Sequence, residues 1–350
     1  GGGVPGAASP SASGGGSPPH AKDKAAEFRA QDLERAGPCR LKRSIGEGSY
    51  GKVFLGVNET TGAQEAVKVI PKRLVKDLAH VRDVWRETTL LERLRHPGIV
   101  LLHEVHHLSR HVCLRMELVG RFNIFQVQRA SRGGRFGLTT VWNVGLQVAA
   151  ALAHCHENGI AHRDIKHENV VLCDTAEPPE FWRVKLIDFG HAVDVAKAAA
   201  ERICGTMPFA APEVLRAHHP SVLWDCEGDP DPRSADVWAH SVMLVEMAYK
   251  VGEFNRALGW PMDVEPGESR GAELAAFFHG GIRRLSEALS KIPPPEDDVD
   301  PLDQDFLAVL TGALRVEPGR RWSMSKVHDK MTACLEAVGQ GASPDRFSTC

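Results

Sequence analysis

The chain has 350 residues, 43% of them hydrophobic and 25% charged, with a formal net charge of −3, enough to bury one large core or two modest lobes. That charge gives no long-range attraction to nucleic acid or an anionic membrane, and no apolar run approaches the ~20 residues that span a bilayer, so neither is an expected partner. The chain starts at glycine, and is read as a processed product or a fragment.

Residues 1–38 are rich in Gly, Ser, Pro and Ala and too poor in large apolar groups to fold alone, so a disordered tail is expected. Strand-like patterning runs from Leu41 to Val69. Within it, Ile45-Gly46-Glu47-Gly48-Ser49-Tyr50-Gly51-Lys52-Val53 places three glycines where backbone amides could approach a polyphosphate closely. A dinucleotide fold uses a similar spacing, but Val53-Phe54-Leu55-Gly56-Val57 continues as a strand rather than opening a helix. Glu65-Ala66-Val67-Lys68-Val69-Ile70 follows, and Leu90, Leu91 and Leu94 then form a helical stripe that His96-Pro97-Gly98 stops. Strand character returns from Leu101 to Leu118. Helical patterns dominate from Phe122 onward, and helix-end packing accounts for His154-Cys155-His156 after the apolar stretch from Leu138 to Leu152.

The most informative run is His162-Arg163-Asp164-Ile165-Lys166-His167-Glu168-Asn169, bounded by apolar residues 159–161 and 170–172. An aspartate that accepts a hydroxyl proton, a lysine that holds a phosphate and an asparagine that reaches a magnesium ion are what phosphoryl transfer requires. Alone, the octamer is also compatible with a charged turn. Val184-Lys185-Leu186-Ile187-Asp188-Phe189-Gly190 ends a strand-like run in an aspartate, a magnesium ligand or a turn former. Gly205-Thr206-Met207-Pro208-Phe209-Ala210-Ala211-Pro212-Glu213, the helix-like run 236–247 and Arg315 to Arg321 complete the pattern.

In this order, these motifs make the chain resemble a eukaryotic protein kinase domain of the Ser/Thr type over residues 39–334, with features of the calcium/calmodulin-dependent group. The resemblance implies an α+β, bilobal fold. A small β-rich lobe (39–118) and a larger, mainly helical lobe (119–334) would be followed by a flexible tail (335–350).

It also implies ATP and Mg2+ as cofactors and a protein substrate with a Ser or Thr acceptor. Lys68, on the third strand, would pair with the phosphates and with Glu87; Glu92 is the rival, but lies on the other side of the helical stripe. Asp164 would orient or deprotonate the substrate hydroxyl, Lys166 would neutralise the transferring phosphoryl, and Asn169 and Asp188 would hold the metal. The glycine loop, Gly46, Glu47, Gly48, Ser49, Tyr50 and Gly51, would cover the phosphates. Ile45, Val53, Ala66 and Val171 would wall the adenine pocket, beside gatekeeper Met116 and the hinge backbone at Glu117 and Val119. Phe189, His162, Leu91 and Leu102 would stack as a column joining the lobes, and Glu213 would pair with Arg321. A pseudokinase or scaffold that binds without transfer is the alternative.

Three departures stand out. Residues 190–205 contain no Ser, Thr or Tyr, so the phosphate that Arg163 commonly receives in the family has no site there; Arg202 falls near its position, and Glu201 is the candidate substitute charge. Phe209 replaces the usual tyrosine, and Ser241 the usual glycine. Residues 216–233 lengthen a link, and 252–300 match no motif. Eight cysteines without a C-x-x-C pair suit reduced thiols in a cytoplasmic or nuclear protein, with Cys204 open to oxidation. His103, His106, His107 and His111 are expected to be surface imidazoles rather than a metal site.

Overall fold

The computed structural model describes residues 33–48, 51–75, 77–174, 176–200, 206, 209–214, 231–252, 254, 303–315 and 317–338. Its N-terminal region is a six-stranded antiparallel sheet in the order β1-β2-β3-β4-β6-β5, formed by Arg35–Ala36 (β1), Cys39–Gly48 (β2), Gly51–Asn58 (β3), Gln64–Pro71 (β4), Leu102–His107 (β5) and His111–Glu117 (β6). The strand carrying Lys68 is therefore the fourth. The two-residue β1, in which Ala36 is fully buried, is too short to show a period-2 pattern and lies ahead of residue 39.

Alternation divides the sheet into two faces. Val67 and Val69 join Cys39, Phe54 and Cys113 in a small outer cluster. Their neighbours Ala66, Lys68 and Ile70 point the other way, and the register sets Val53 beside Lys68 and Ala66 beside Met116. Buried in the outer face is a polar knot: Arg115 donates two hydrogen bonds to Glu65 (2.8 and 2.9 Å), which also accepts from Asn58 (2.9 Å) and the Cys39 thiol (3.2 Å).

Helix α1, Leu78–Arg93, crosses the inner face. Asp77 caps it by accepting from the His80 amide at 2.9 Å, a start that the apolar stripe further along does not announce. Helix α2 (Ile124–Ala130) opens on an Asn123–Gln126 capping box, and α3 (Leu138–Glu157) forms the centre of the C-terminal region, buried along most of its length. Then come the short strands Ile160–Ala161 (β7), Val170–Leu172 (β8), Val184–Leu186 (β9) and Val193–Asp194 (β10), paired β8 with β9 and β7 with β10. Helices Pro232–Tyr249 (α4), Asp303–Ala313 (α5) and Met324–Val338 (α6) complete the described elements. Trp142 of α3 ties to α6 through its indole N–H, which donates to the Met331 carbonyl at 2.9 Å.

One apolar core runs from Ile70, Leu91 and Leu102 through Phe189 to Trp142, Trp238 and Met331. The fold is α+β, with a sheet-based N-terminal region and a helical C-terminal region, as the sequence implies. Helix α6 runs four residues past the boundary expected at 334. Ser49, Tyr50, Glu201, Arg202, Cys204, residues 216–230 and 255–300, and most of both tails lie outside the described residues.

Candidate active site

Four local structures bring the site together. The first is the hairpin of β2 and β3, whose last paired residues are Gly48 and Gly51. A side chain at Gly51 would put a Cβ 2.1 Å from the Val69 carbonyl oxygen, so this position admits only glycine without moving β4. The second is the connection after β6. There a Cβ on Gly120 would fall 1.7 Å from the Leu172 carbonyl oxygen, so the linking segment lies directly on β8. The Glu117 carboxylate accepts from the Leu101 amide (2.7 Å) and from Lys185 Nζ (2.7 and 2.9 Å), which anchors this connection to β9. Ile45 is exposed, whereas Val53, Ala66, Met116, Val119 and Val171 are half-buried.

The third is the junction of β4, α1 and the segment after β9. Lys68 Nζ lies 2.5 Å from Glu87 Oε1 and 3.3 Å from Asp188 Oδ1, and Lys68 and Glu87 are buried. Glu92 is exposed, so the helical phase selects Glu87, as the stripe implies. Burial alone would depress the Lys68 ammonium, but the two carboxylates outweigh it and raise its pKa above the ordinary value. Burial pushes Asp188 up, and the Lys68 charge and the Gly190 amide outweigh that, bringing it down to about 2. Asp188 has φ +59°, a left-handed conformation rare for a side-chain-bearing residue, which turns the chain into Phe189. Phe189 is fully buried, with its ring 4.7 Å from that of His162, and Leu91 and Leu102 are buried in the same core.

The fourth is the turn between β7 and β8. Asp236, at the start of α4 and fully buried, accepts from the amides of His162 (2.8 Å) and Arg163 (2.7 Å) and lies 3.0 Å from His156 Nε2. Arg163 has φ +64° and donates from Nε to the His191 carbonyl at 2.8 Å. So held, the turn presents Asp164. Its Oδ2 accepts from Asn169 Nδ2 (2.9 Å) and pairs with Lys166 Nζ (2.8 Å), and its Oδ1 accepts from the Thr206 hydroxyl (2.6 Å). Burial raises the Asp164 pKa, but the hydrogen bonds from Lys166 and Thr206 win, so the group is a carboxylate at neutral pH.

Around this centre, Glu213 and Arg321 form a buried bidentate pair at 2.7 and 3.0 Å, and Arg321 also donates to the Ser234 carbonyl at 2.6 Å. The Phe209 ring meets the His167 ring edge-on at 5.3 Å, and the Ser241 hydroxyl donates to the Val237 carbonyl within α4. Two ties carry no local signal in the sequence. Asp236 and His156 lie 80 residues apart and meet only through tertiary packing. Arg93 pairs with Asp194 at 2.9 Å and donates to the Asn158 carbonyl at 2.6 Å, joining the end of α1 to β10 and to the turn before β7.

Of the histidine run, His103 is exposed, His106 pairs with Glu104 at 3.2 Å, and His111 is buried. Among the described residues, Cys39, Cys113, Cys155, Cys173 and Cys334 are outside disulfides. No described helix is long and apolar enough to cross a membrane.

Residues 39–331 match the model of the family described as "Protein kinase domain". The chain is 33% identical over 207 residues to CBL-interacting protein kinase 25 of Oryza sativa subsp. japonica, an alignment covering 57% of this chain and 37% of that protein. It is 26% identical over 215 residues to calcium-dependent protein kinase 5 of Plasmodium berghei, covering 61% of this chain and 35% of that protein. A probable serine/threonine-protein kinase of Dictyostelium discoideum is 28% identical over 301 residues, covering 85% of this chain and 31% of that protein. The aligned part is thus about a third of the length of the curated relatives that the chain matches.

Proposed function

Because the chain belongs to the protein kinase domain family, we propose that it is an ATP-dependent protein serine/threonine kinase, with its kinase domain at residues 39–334. On this reading it transfers the γ-phosphoryl of ATP to a Ser or Thr hydroxyl of a protein. The observation that carries the reading is the pair of opposed charge clusters. Lys68 is locked between Glu87 and Asp188 in one cluster, and Asp164 is held by Asn169 and Lys166 in the other. A scaffold that only binds nucleotide has no need of the second cluster.

Each residue has a distinct task. Glu87 fixes the Lys68 ammonium, which holds the α- and β-phosphates. The amides of Gly46, Glu47, Gly48 and Gly51 cover the phosphates; Ser49 and Tyr50 complete this loop by motif. Ile45, Val53, Ala66, Met116 and Val171 enclose the adenine ring against the backbone of Glu117 and Val119. Asp164 accepts the proton of the attacking hydroxyl while that oxygen forms its bond to the γ-phosphorus and ADP leaves. The Thr206 hydroxyl on Asp164 Oδ1 supports this, since it demonstrates that an alcohol can reach the carboxylate. Lys166 offsets the charge that gathers on the transferring group.

The donors at the cleft fit magnesium. Asp188 supplies carboxylate oxygen, and Asn169, with its Nδ2 committed to Asp164, has its amide oxygen left to offer. When bound, magnesium neutralises the phosphates and orients them. The Lys166–Thr206 contact (3.0 Å) supports serine or threonine as acceptor.

The test is phosphate incorporation from magnesium-ATP into a mixed Ser, Thr and Tyr peptide library. Transfer to Ser and Thr is expected; nucleotide binding without transfer would overturn the reading in favour of a scaffold.

A further inference from the structure

The chain as a whole is near charge balance, with 45 Asp and Glu against 42 Lys and Arg, yet residues 118–137 hold four arginines and no Asp, Glu or Lys. They form the segment after β6, helix α2 and the turn beyond it, and they border the site. The Phe122 carbonyl accepts from the Leu172 amide at 3.0 Å, and Asn123 bridges to Val171. Helix α2 packs on residues His167–Asn169, the turn whose Asn169 holds Asp164. Its seven residues span about 10 Å, so a peptide with its hydroxyl at Asp164 and extended in that direction crosses α2 in about three or four residues.

Two of the four arginines stand ready on the surface. Arg121 lies over the Phe122 ring at 5.3 Å and Arg129 over the Phe125 ring at 5.6 Å, and both arginines are exposed. Neither has a carboxylate partner among the described residues. Stacking covers one face of a guanidinium and leaves its N–H edge open to a carboxylate, so little side-chain freedom is lost on binding. The carboxylates nearby are committed, Asp164 to Lys166 and Glu117 to Lys185. Glu168 is the exception, and its Oε2 is buried without a hydrogen-bond partner among the described residues. Beyond Thr206, on the other side of Asp164, residues 209–214 are apolar except for Glu213, which is committed to Arg321. The cationic surface therefore lies to one side of the acceptor.

We propose that Arg121 and Arg129 select the protein substrate by reading Asp or Glu side chains that lie to one side only of its Ser or Thr acceptor. This names the substrate class of the kinase site, and so rests on the kinase reading. Two guanidinium forks, one before α2 and one in its last turn, receive acids a few residues apart, so they set register as well as charge. A substrate with Lys or Arg at the same positions meets like charge and is excluded. The contacts lie away from the transferring phosphoryl and are equal in the ground and transition states, so they lower KM and leave kcat.

The test uses the full chain and short peptides with a central Ser, the flanking positions varied among Asp, Ala and Arg. Selection on the immobilised chain without ATP reads binding, and phosphate transfer to the same peptides gives kcat and KM. The proposal expects acids enriched on one side of the serine in both readouts. For the selected peptide, Arg121→Glu combined with Arg129→Glu should raise KM about five- to tenfold with kcat within about twofold. The same swap should turn the preference to Arg while leaving transfer to an alanine-flanked peptide unchanged, and high salt should erase the acidic advantage of the wild type. Circular dichroism checks the fold; should the swap not fold, Arg121→Gln with Arg129→Gln is expected to abolish the preference without reversing it. Arginine-flanked winners with the wild-type chain, which would assign the reading to Glu168, would overturn the proposal. So would acids enriched on both sides, no charge preference, or an acidic preference that survives the substitutions. Selection of acidic peptides in the binding arm without transfer to any peptide would refute the kinase reading alone and leave Arg121 and Arg129 as an acid-binding surface.

Discussion

At the scale of single residues, the site sorts into groups that hold phosphate and a group that handles the proton. Asp164 is the proton acceptor, and Asp164→Asn keeps the shape and the Asn169 contact while removing basicity. It is expected to lower kcat by about 10²–10⁴-fold with nucleotide affinity nearly unchanged, which steady-state kinetics beside calorimetry would check. Lys68→Met and Asp188→Asn act on the phosphates instead. Both should abolish most transfer, with magnesium-ATP affinity falling more than adenosine affinity, and calorimetry with the two ligands separates the cases. Lys68→Met also leaves Glu87 buried without its partner, so its melting temperature belongs in the comparison.

At the scale of elements, two ties position the site from outside it. The Glu213–Arg321 pair, nearly inaccessible on both sides, joins the segment before α4 to the turn before α6. Arg321→Met leaves a buried carboxylate, and a loss of about 3–5 kcal/mol is expected in denaturant unfolding. The pair was legible, because each partner sits in a recognisable motif. The Arg93 tie from α1 to Asp194 and Asn158 was not, since three residues from three elements show no periodicity and no fixed spacing. Both side chains of its ion pair are partly exposed, so Arg93→Ala should cost only about two- to fivefold in kcat. The start of α1 at Asp77 and the two-residue β1 also escaped the sequence. A lone cap and a two-residue strand fall below what periodicity resolves, whereas the phase that selects Glu87 over Glu92 lies in a long, regular stripe.

At the scale of the whole molecule, buried histidines set the response to acid. Burial lowers His167 and His240 from 6.5 to about 4, and leaves His167 Nε2 and His240 Nδ1 without hydrogen-bond partners among the described residues. Their folded pKa values lie below the unfolded ones, so the unfolded chain takes up protons first as pH falls. Stability is therefore intact above pH 6.5 and lost as pH drops towards 4, by about 1.4 kcal/mol per pH unit for each histidine. Urea unfolding at pH 7, 6 and 5 should show this slope, and His240→Asn should reduce it. Regulation also belongs to this scale. With no hydroxyl in residues 190–205, β10 already paired with β7 and Arg163 already bonded to the His191 carbonyl, bacterially expressed protein treated with phosphatase is expected to keep its activity. Loss of activity on that treatment, traced by mass spectrometry to Thr206 or a tail serine, would contradict this. The central claim, that the two charge clusters carry out phosphoryl transfer, is tested most directly by incubating wild-type and Asp164→Asn protein with labelled magnesium-ATP and a Ser/Thr peptide library. The account predicts label on serine or threonine with the wild type and at least a hundredfold less with the variant; equal label from both, or none from a wild type that binds the nucleotide, would contradict it.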